Sequence, residues 1–398
     1  MMNASCRLNI LLFAQLPPPY HGFTLMNRLL LESPFMQAFN VKVQLINFAE
    51  RIEDIGGKFS FKKIALLIYY VFQTLSKLIR HRFDYCIYPM SFTAIPFLRD
   101  TILLSTVRLF GVKIIYYVHG NNLPDFYARS PRWLKFLIKN FVCAAQAAIV
   151  VGENLKFNFL PFLPPERIYA VHNAVERFKT APKPRSDAHQ KPLQVLYLSN
   201  LTRSKGFFIL LEAIPKIIAQ CPNVKFNFAG AWSNESDKKD AEAFIQAHSL
   251  HDVVSWKGIV TGEIKEQLFY DADIFVFPTF YPIETFGIVN LEAMQAGLPI
   301  VTTNHAAIPE VVEDGINGFI VPTQDPDAVA EKIILLCKNA ELRQMMRENN
   351  LRKYESAYTK EKYAERLIAT IERIHQQISG TSLQTFASQH TAPKKQTV

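Results

Sequence analysis

Short apolar runs rich in β-branched and aromatic residues alternate with helix-length segments along this chain, and the whole series occurs twice. In the first half the runs are LNILLFAQ, VKVQLINF, YCIYPM, KIIYYVHG and AAIVVG, with helical stretches such as Thr24–Leu31 and Arg99–Phe110 among them. In the second half they are LQVLYLSN, VKFNFAG, VVSWKG, IFVFPT, LPIVTTN and FIVP. Helices are expected there at Gly206–Gln220, Lys239–His248, Ile264–Tyr270 and Ile288–Ala296. Strands alternating with helices predict parallel sheets covered on both faces. The polar stretch with three prolines before Leu193 reads as a linker. The 398 residues suit two domains of average size. The expected fold is therefore α/β, with two doubly wound Rossmann-like domains facing a cleft. Its boundaries are 1–178 for the first domain, 179–192 for the linker and 193–355 for the second domain. A closing helix at 356–378 and a polar, disordered tail at 379–398 follow.

Charge is unevenly placed. Residues 1–190 carry 23 Lys and Arg against 11 Asp and Glu, while the remainder carries 21 against 24. A basic half joined to a mildly acidic half points to an anionic partner for the first half, and a solvated basic surface is the plainer alternative. The five cysteines, Cys6, Cys86, Cys143, Cys221 and Cys337, are scattered without a CxxC or Cys/His cluster. That pattern fits a reducing compartment and argues against structural zinc. The longest apolar run, Ile64 to Phe72, is too short to span a bilayer, which takes roughly 20 residues. The reading is a cytoplasmic protein, with peripheral association at the inner face of the plasma membrane as an open option.

The densest chemical signal is PTFYPIETFGIVNLEAMQAGLP, Pro278–Pro299. The strand IFVFP ends at Pro278, a loop carries Glu284, and Phe286-Gly287 opens the helix that holds Glu292. Gly297 caps that helix ahead of Pro299. Gly287 thus lies at a helix N-terminus, where free N–H groups and the positive dipole end suit a phosphate or a sugar oxygen. Two carboxylates near such a site accept hydrogen bonds from sugar hydroxyls. A second loop, SNLTRSKGF (Ser199–Phe207), runs from strand to helix and presents Arg203 and Lys205 where a diphosphate needs cations. In the first half, KIIYYVHGNN ends a strand with His119-Gly120, at the strand end where a cleft is expected. Gly22, in PPPYHGFTLMNRLL, allows close approach of backbone to a ligand.

The Pro278–Pro299 stretch resembles the signature of glycosyltransferase family 4. That signature has two Glu separated by seven residues, an aromatic-Gly pair between them, and EAM-x-x-G-x-P from the second Glu onward. IPEVVEDGINGFIVP (Ile308–Pro322) resembles the segment that follows it, and PPERIYAVHNAVE (Pro164–Glu176) the segment leading into the linker. The resemblance implies a GT-B fold and a retaining hexosyltransferase. The second domain would bind a nucleotide-sugar donor and the first a glycan or lipid-linked acceptor, in cell-envelope or exopolysaccharide biosynthesis. It implies that Glu284 faces the donor hexose and Glu292 the ribose. The backbone of Phe286 and Gly287 would meet the sugar and diphosphate, and His119 the donor sugar. Where the family has Gly-Arg, this chain has Ser199-Asn200, so the arginine role falls to Arg203 or, more weakly, to Asn200. His21 stands where the family commonly has a glycine. The implied catalytic set is His119, Glu284, Lys205 and Arg203, with Gly22, Asn200, Phe286, Gly287, Ile288 and Glu292 binding the donor. No cofactor and no metal are expected, since the nucleotide-sugar is a substrate. Asp271-Ala272-Asp273 and Asp325-Pro326-Asp327 read as structural.

No G-x-G dinucleotide fingerprint and no P-loop occur, and no nucleic-acid motif accompanies the charge, so nucleic acid is not an expected partner. A catalytically silent GT-B partner subunit and a sugar-nucleotide epimerase or hydrolase on the same fold are the rival readings. An anionic membrane surface is a further candidate partner. Phe61, Ile64, Ile68, Phe72, Leu75 and Ile79 recur at helical spacing among Lys62, Lys63, Lys77, Arg80 and Arg82, and Arg132, Lys135 and Lys139 lie beside Trp133, Leu134, Phe136 and Leu137. Such helices can lie on anionic lipid, or they can pack on the sheet with basic outer faces.

Overall fold

A computed structural model describes residues 7–18, 22–48, 61–181 and 191–380. They form two compact units, one drawn from 1–173 and 360–398 and the other from 174–359.

In the first unit, β1 (Asn9–Ala14), β2 (Asn40–Leu45), β3 (Tyr85–Tyr88), β4 (Lys113–Val118), β5 (Ala147–Val150) and β6 (Ile168–Ala170) form a parallel sheet in the order β2-β1-β3-β4-β5-β6. The connecting helices are α1 (Gly22–Leu31), α2 (Phe35–Ala38), α3 (Phe61–Arg80), α4 (Ala94–Leu109), α5 (Leu123–Arg129) and α6 (Arg132–Cys143). The second unit repeats the plan with β7 (Leu193–Leu198), β8 (Val224–Ala229), β9 (Val254–Gly258), β10 (Ile274–Phe277), β11 (Ile300–Thr303) and β12 (Gly318–Val321), in the order β12-β11-β10-β7-β8-β9. Its helices are α7 (Phe207–Gln220), α8 (Glu235–Ala247), α9 (Gly262–Asp271), α10 (Ile288–Gln295), α11 (Ile308–Val311), α12 (Pro326–Lys338) and α13 (Ala340–Lys353). Every residue of β3, β5, β10 and β11 is buried. Helices on both faces of a parallel sheet demand this, and it explains why these strands read as unbroken apolar runs. The threonines among them are satisfied locally: Thr302 Oγ1 donates to the Phe277 carbonyl at 2.8 Å.

Strand order locates where each sheet can bind. From β7 the chain steps through β8 to β9, then returns to place β10 on the other side of β7. The loops after β7 and β10 therefore diverge at a topological switch point, which opens a crevice beyond the strand ends. In the first unit the same reversal separates β1 from β3.

Several boundaries differ from the sequence reading. The closing helix, α14 (Lys360–Ser379), belongs to the first unit. It packs on α1 and α2, and the Tyr363 and Tyr117 hydroxyls meet at 2.8 Å. Arg366 Nη2 also donates to the His172 carbonyl at 3.2 Å. Its apolar stripe, Tyr363, Leu367, Ile371 and Ile374, is buried there. The described start of the expected linker is fixed against the second unit: the N–H groups of Lys179 and Thr180 donate to Glu266 Oε2 at 2.9 and 2.8 Å. Phe178 stacks near Phe269 at 5.7 Å between centroids. Residues 182–190 of that linker, residues 381–398 of the expected tail, and His21 lie outside the described residues. Strand β6 was not foreseen, because Ile168–Ala170 is only three residues long and follows a proline pair.

Candidate functional site

The loop after β7 turns through a single 3-10 turn, Arg203–Lys205, and closes on Gly206. Gly206 has φ +87°, and a Cβ there would lie 2.1 Å from the Pro278 carbonyl oxygen, so only glycine lets this loop press against the end of β10. Phe280 N–H donates to the Ser204 carbonyl at 2.8 Å, and Tyr197 OH donates to the Lys205 carbonyl at 3.2 Å. Burial pushes the Tyr197 phenol far above its ordinary value, so it stays a neutral donor. These contacts fix Lys205, whose ammonium extends over the Tyr281 ring, 4.5 Å from its centroid.

Across the crevice Glu284 receives that ammonium at 2.5 Å, with both side chains largely buried. The other carboxylate oxygen, Oε1, accepts the N–H groups of Thr285 and Gly287 at 3.2 Å each. Gly287 is the N-cap of α10 and has φ +63°, a left-handed conformation that favours glycine. Lys205, Glu284 and the start of α10 thus converge from two loops on one point. Charge-assisted hydrogen bonds of this kind are roughly twice as strong as neutral ones. The N–H groups at the helix start and the ammonium together make a basin for negative charge. Phe286 is buried with its ring near Tyr358, and Ile288, half-buried, is the first residue of α10.

One turn further along α10, Glu292 pairs with Lys265 of α9. Neither Lys265 nor the Tyr281 ring under Lys205 was among the residues expected from sequence. Lys265 lies 27 residues before its partner, a separation that no local spacing rule reads. Asn290 was also missed. It is buried, and neither polar atom of its amide has a hydrogen-bond partner; a Cβ on Gly287 would lie 2.8 Å from its Nδ2. Its place three residues after the N-cap glycine was the available signal, since side chains there reach back toward the helix start.

Arg203 is not brought to this cluster. Its Nε donates to Asp237 at 2.9 Å, its Nη2 to Asp240 at 2.5 Å, and its guanidinium stacks on Phe208 at 4.2 Å. Two carboxylates of α8 pair with it, and it ties the loop to that helix. Asn200 is exposed in the same loop. Arg203→Ala is expected to leave kcat/KM within a few-fold of wild type and to lower stability by no more than about 1 kcal/mol, as a half-exposed ion pair does; steady-state kinetics and thermal melting check both.

In the first unit His119 directly follows β4. Its ring lies 4.6 Å from that of Tyr117 and 5.1 Å from that of Phe23, centroid to centroid. Phe23 follows Gly22, the exposed first residue of α1, so the structure brings His119 and the start of α1 together at one end of that sheet.

Residues 179–353 match the family model described as Glycosyl transferases group 1. This segment is similar to group 1 glycosyltransferase domains. Spore coat protein SA of Bacillus subtilis (strain 168) is 32% identical over 185 residues, covering 45% of this chain and 48% of that protein. The putative colanic acid biosynthesis glycosyltransferase WcaL of Escherichia coli (strain K12) is 28% identical over 174 residues, covering 43% and 42%. The matches thus span about half the length of these curated relatives. Among solved structures, Anabaena HepE in complex with UDP and glucose aligns over 92% of this chain and 99% of its own, with a TM-score of 0.68 at 19% identity. That likeness shows the fold, the GT-B fold expected from the sequence. The matched segment contains the whole Lys205–Glu284–Gly287 cluster and the Lys265–Glu292 pair.

Both D-x-D triplets of this domain have structural partners. Asp273 Oδ2 accepts the Gln194 N–H at 2.8 Å, Asp325 caps α12 through the Ala328 N–H at 2.9 Å, and Asp327 pairs with Lys216 at 2.9 Å. Among the described residues no group of three or more His, Cys, Asp or Glu could hold a metal ion.

Proposed function

We propose that this protein is a family 4-like retaining glycosyltransferase. It would move a hexose-type sugar from a nucleotide-sugar donor to a glycan or lipid-linked acceptor in cell-envelope or exopolysaccharide assembly. The observation that carries this reading is the convergence of Lys205, Glu284 and the Gly287 N–H at the switch point of the second sheet. A diphosphate is a stronger anion than a single carboxylate, so it displaces Glu284 from the ammonium and the helix start. The released carboxylate then accepts hydrogen bonds from sugar hydroxyls, and Glu292, one turn along α10, accepts those of the ribose. As the glycosidic bond breaks, charge grows on the departing diphosphate, where Lys205 and the N-terminus of α10 stabilise it. The leaving diphosphate accepts the acceptor's proton on the same face of the sugar, which keeps the anomeric configuration. In the first unit, His119 and Gly22 are assigned to substrate, with the acceptor bound by that unit.

The relatives' names fit this reading: WcaL is named for colanic acid biosynthesis, and HepE was solved with UDP and glucose. Thermal-shift screening against a panel of sugar nucleotides tests it. A cognate donor at about 100 times its Kd is expected to stabilise the fold by about 2.7 kcal/mol, while the free sugar gives no shift. A flat response to every nucleoside diphosphate and its sugars would contradict the assignment. The anomeric coupling of the product, read by NMR, tests retention.

A further inference from the structure

The outer face of the first unit's helical layer is apolar, which reverses the usual arrangement for a helix packed on a sheet. Passing from β2 to β3, β4 and β5, the chain steps in one direction across the sheet, and right-handed crossovers put α3, α4 and α6 on one side of it. The contacts agree: α3 packs on α4, and Arg108 of α4 donates to Asn140 Oδ1 of α6 at 3.0 Å. On α3 the residues turned inward are Tyr70, Thr74 and Leu78. The stripe of larger apolar residues points outward, with Phe61 82%, Phe72 67% and Ile79 73% exposed. The outward line of α4 is equally apolar, Ile95, Ile102 and Leu109 at seven-residue intervals, and α6 adds Trp133 and Phe136. Large exposed apolar side chains gathered on three neighbouring helices mark an interaction site.

Charge selects the occupant. Neither α3 nor α6 contains an acidic residue, and the only one in α4, Asp100, is buried against Arg99. Arg80, Arg82, Arg108, Arg132 and Lys139 are exposed on or beside these helices. A second copy of the same face would set these cations against one another. An anionic lipid surface takes both features at once, apolar side chains entering the acyl boundary and cations meeting the headgroups. No described helix is long and apolar enough to cross a membrane, so the contact lies in the plane of the surface. We infer that the α3–α4–α6 face docks this protein on an anionic bilayer. This inference rests on the face itself and stands independently of the assigned reaction.

The test uses the purified full chain with vesicles of phosphatidylcholine, alone or mixed with phosphatidylglycerol. Sedimentation with the mixed vesicles at low salt is expected, with much weaker binding to phosphatidylcholine alone and release at high salt. The double substitution Ile68→Ser/Phe72→Ser removes two exposed side chains outside the site, so it leaves the melting temperature in place and lowers the vesicle partition coefficient at least about tenfold. Arg132→Glu/Lys139→Glu lowers binding to the mixed vesicles alone. Three results would each overturn the inference: wild-type protein that stays in the supernatant with anionic vesicles at low salt, an Ile68→Ser/Phe72→Ser variant that binds like wild type, or a solution dimer that this variant dissolves.

Discussion

Lys205→Ala is expected to lower kcat/KM by about 10²–10³-fold, with most of the loss in kcat, because the ammonium opposes charge that grows only as the diphosphate departs. The neighbouring cation Arg203, two residues earlier, is held by Asp237 and Asp240 and does not substitute. Lys205→Met sharpens the test. It keeps a long apolar stem over Tyr281 and removes only the charge, so equal losses in both variants assign the effect to electrostatics and not to packing. Folding is retained in both, because the loop is pinned by backbone bonds from Phe280 and by Tyr197. Steady-state kinetics with the donor found by thermal shift, together with melting curves, provide the measurement. Activity near wild type would remove Lys205 from the site.

Glu284→Ala is expected to reduce kcat/KM by about 10²-fold or more, since hydrogen bonds to a charged group contribute about 1.5–3 kcal/mol each and a carboxylate can accept two from a sugar. Its signature differs from that of Lys205→Ala. In the protein described here Glu284 occupies both the Lys205 ammonium and the Gly287 N–H. Deleting it frees those donors, so a nucleoside diphosphate without sugar is expected to bind Glu284→Ala as tightly as wild type or more tightly. The same ligand is expected to bind Lys205→Ala more weakly. Calorimetric titration of both variants reads the sign directly. Weaker nucleoside diphosphate binding in Glu284→Ala would contradict the exchange of Glu284 for phosphate.

The contrast between Lys205 and Arg203 shows how far residue type and spacing reach. Both stand in one strand-to-helix loop, and the sequence offered both as cations for an anion. Their separation follows from the 3-10 turn at Arg203–Lys205 and the left-handed Gly206, which send one side chain to Glu284 and the other to α8. Chain order holds no record of that divergence. Lys265 escaped notice for the related reason that only the fold brings its side chain to Glu292. Asn290 was legible only as a polar residue at the third helical position; its burial became apparent once the helix was seated.

The apolar periodicity of α3 was equally plain in the sequence, yet period alone does not say whether an apolar stripe faces a sheet or the outside. Tyr70, Thr74 and Leu78 turn inward, and that choice was made by the sheet and by α4. The same holds for α14. A closing helix was expected from the chain, but its attachment to the first unit depends on partners such as Tyr117 and His172, far away in sequence.

What the sequence by itself determined was the α/β class, the twofold βα series, and the motif from Glu284 to Glu292 with its glycine at a helix start. These are local matters: strand and helix periods, left-handed glycines and caps act over a few residues. What only the tertiary structure decided was which charges meet, which helix face stays exposed, and which unit holds the last helix. Those outcomes depend on side chains dozens to hundreds of residues apart being brought within hydrogen-bond distance, and strand order fixes that proximity where spacing along the chain does not.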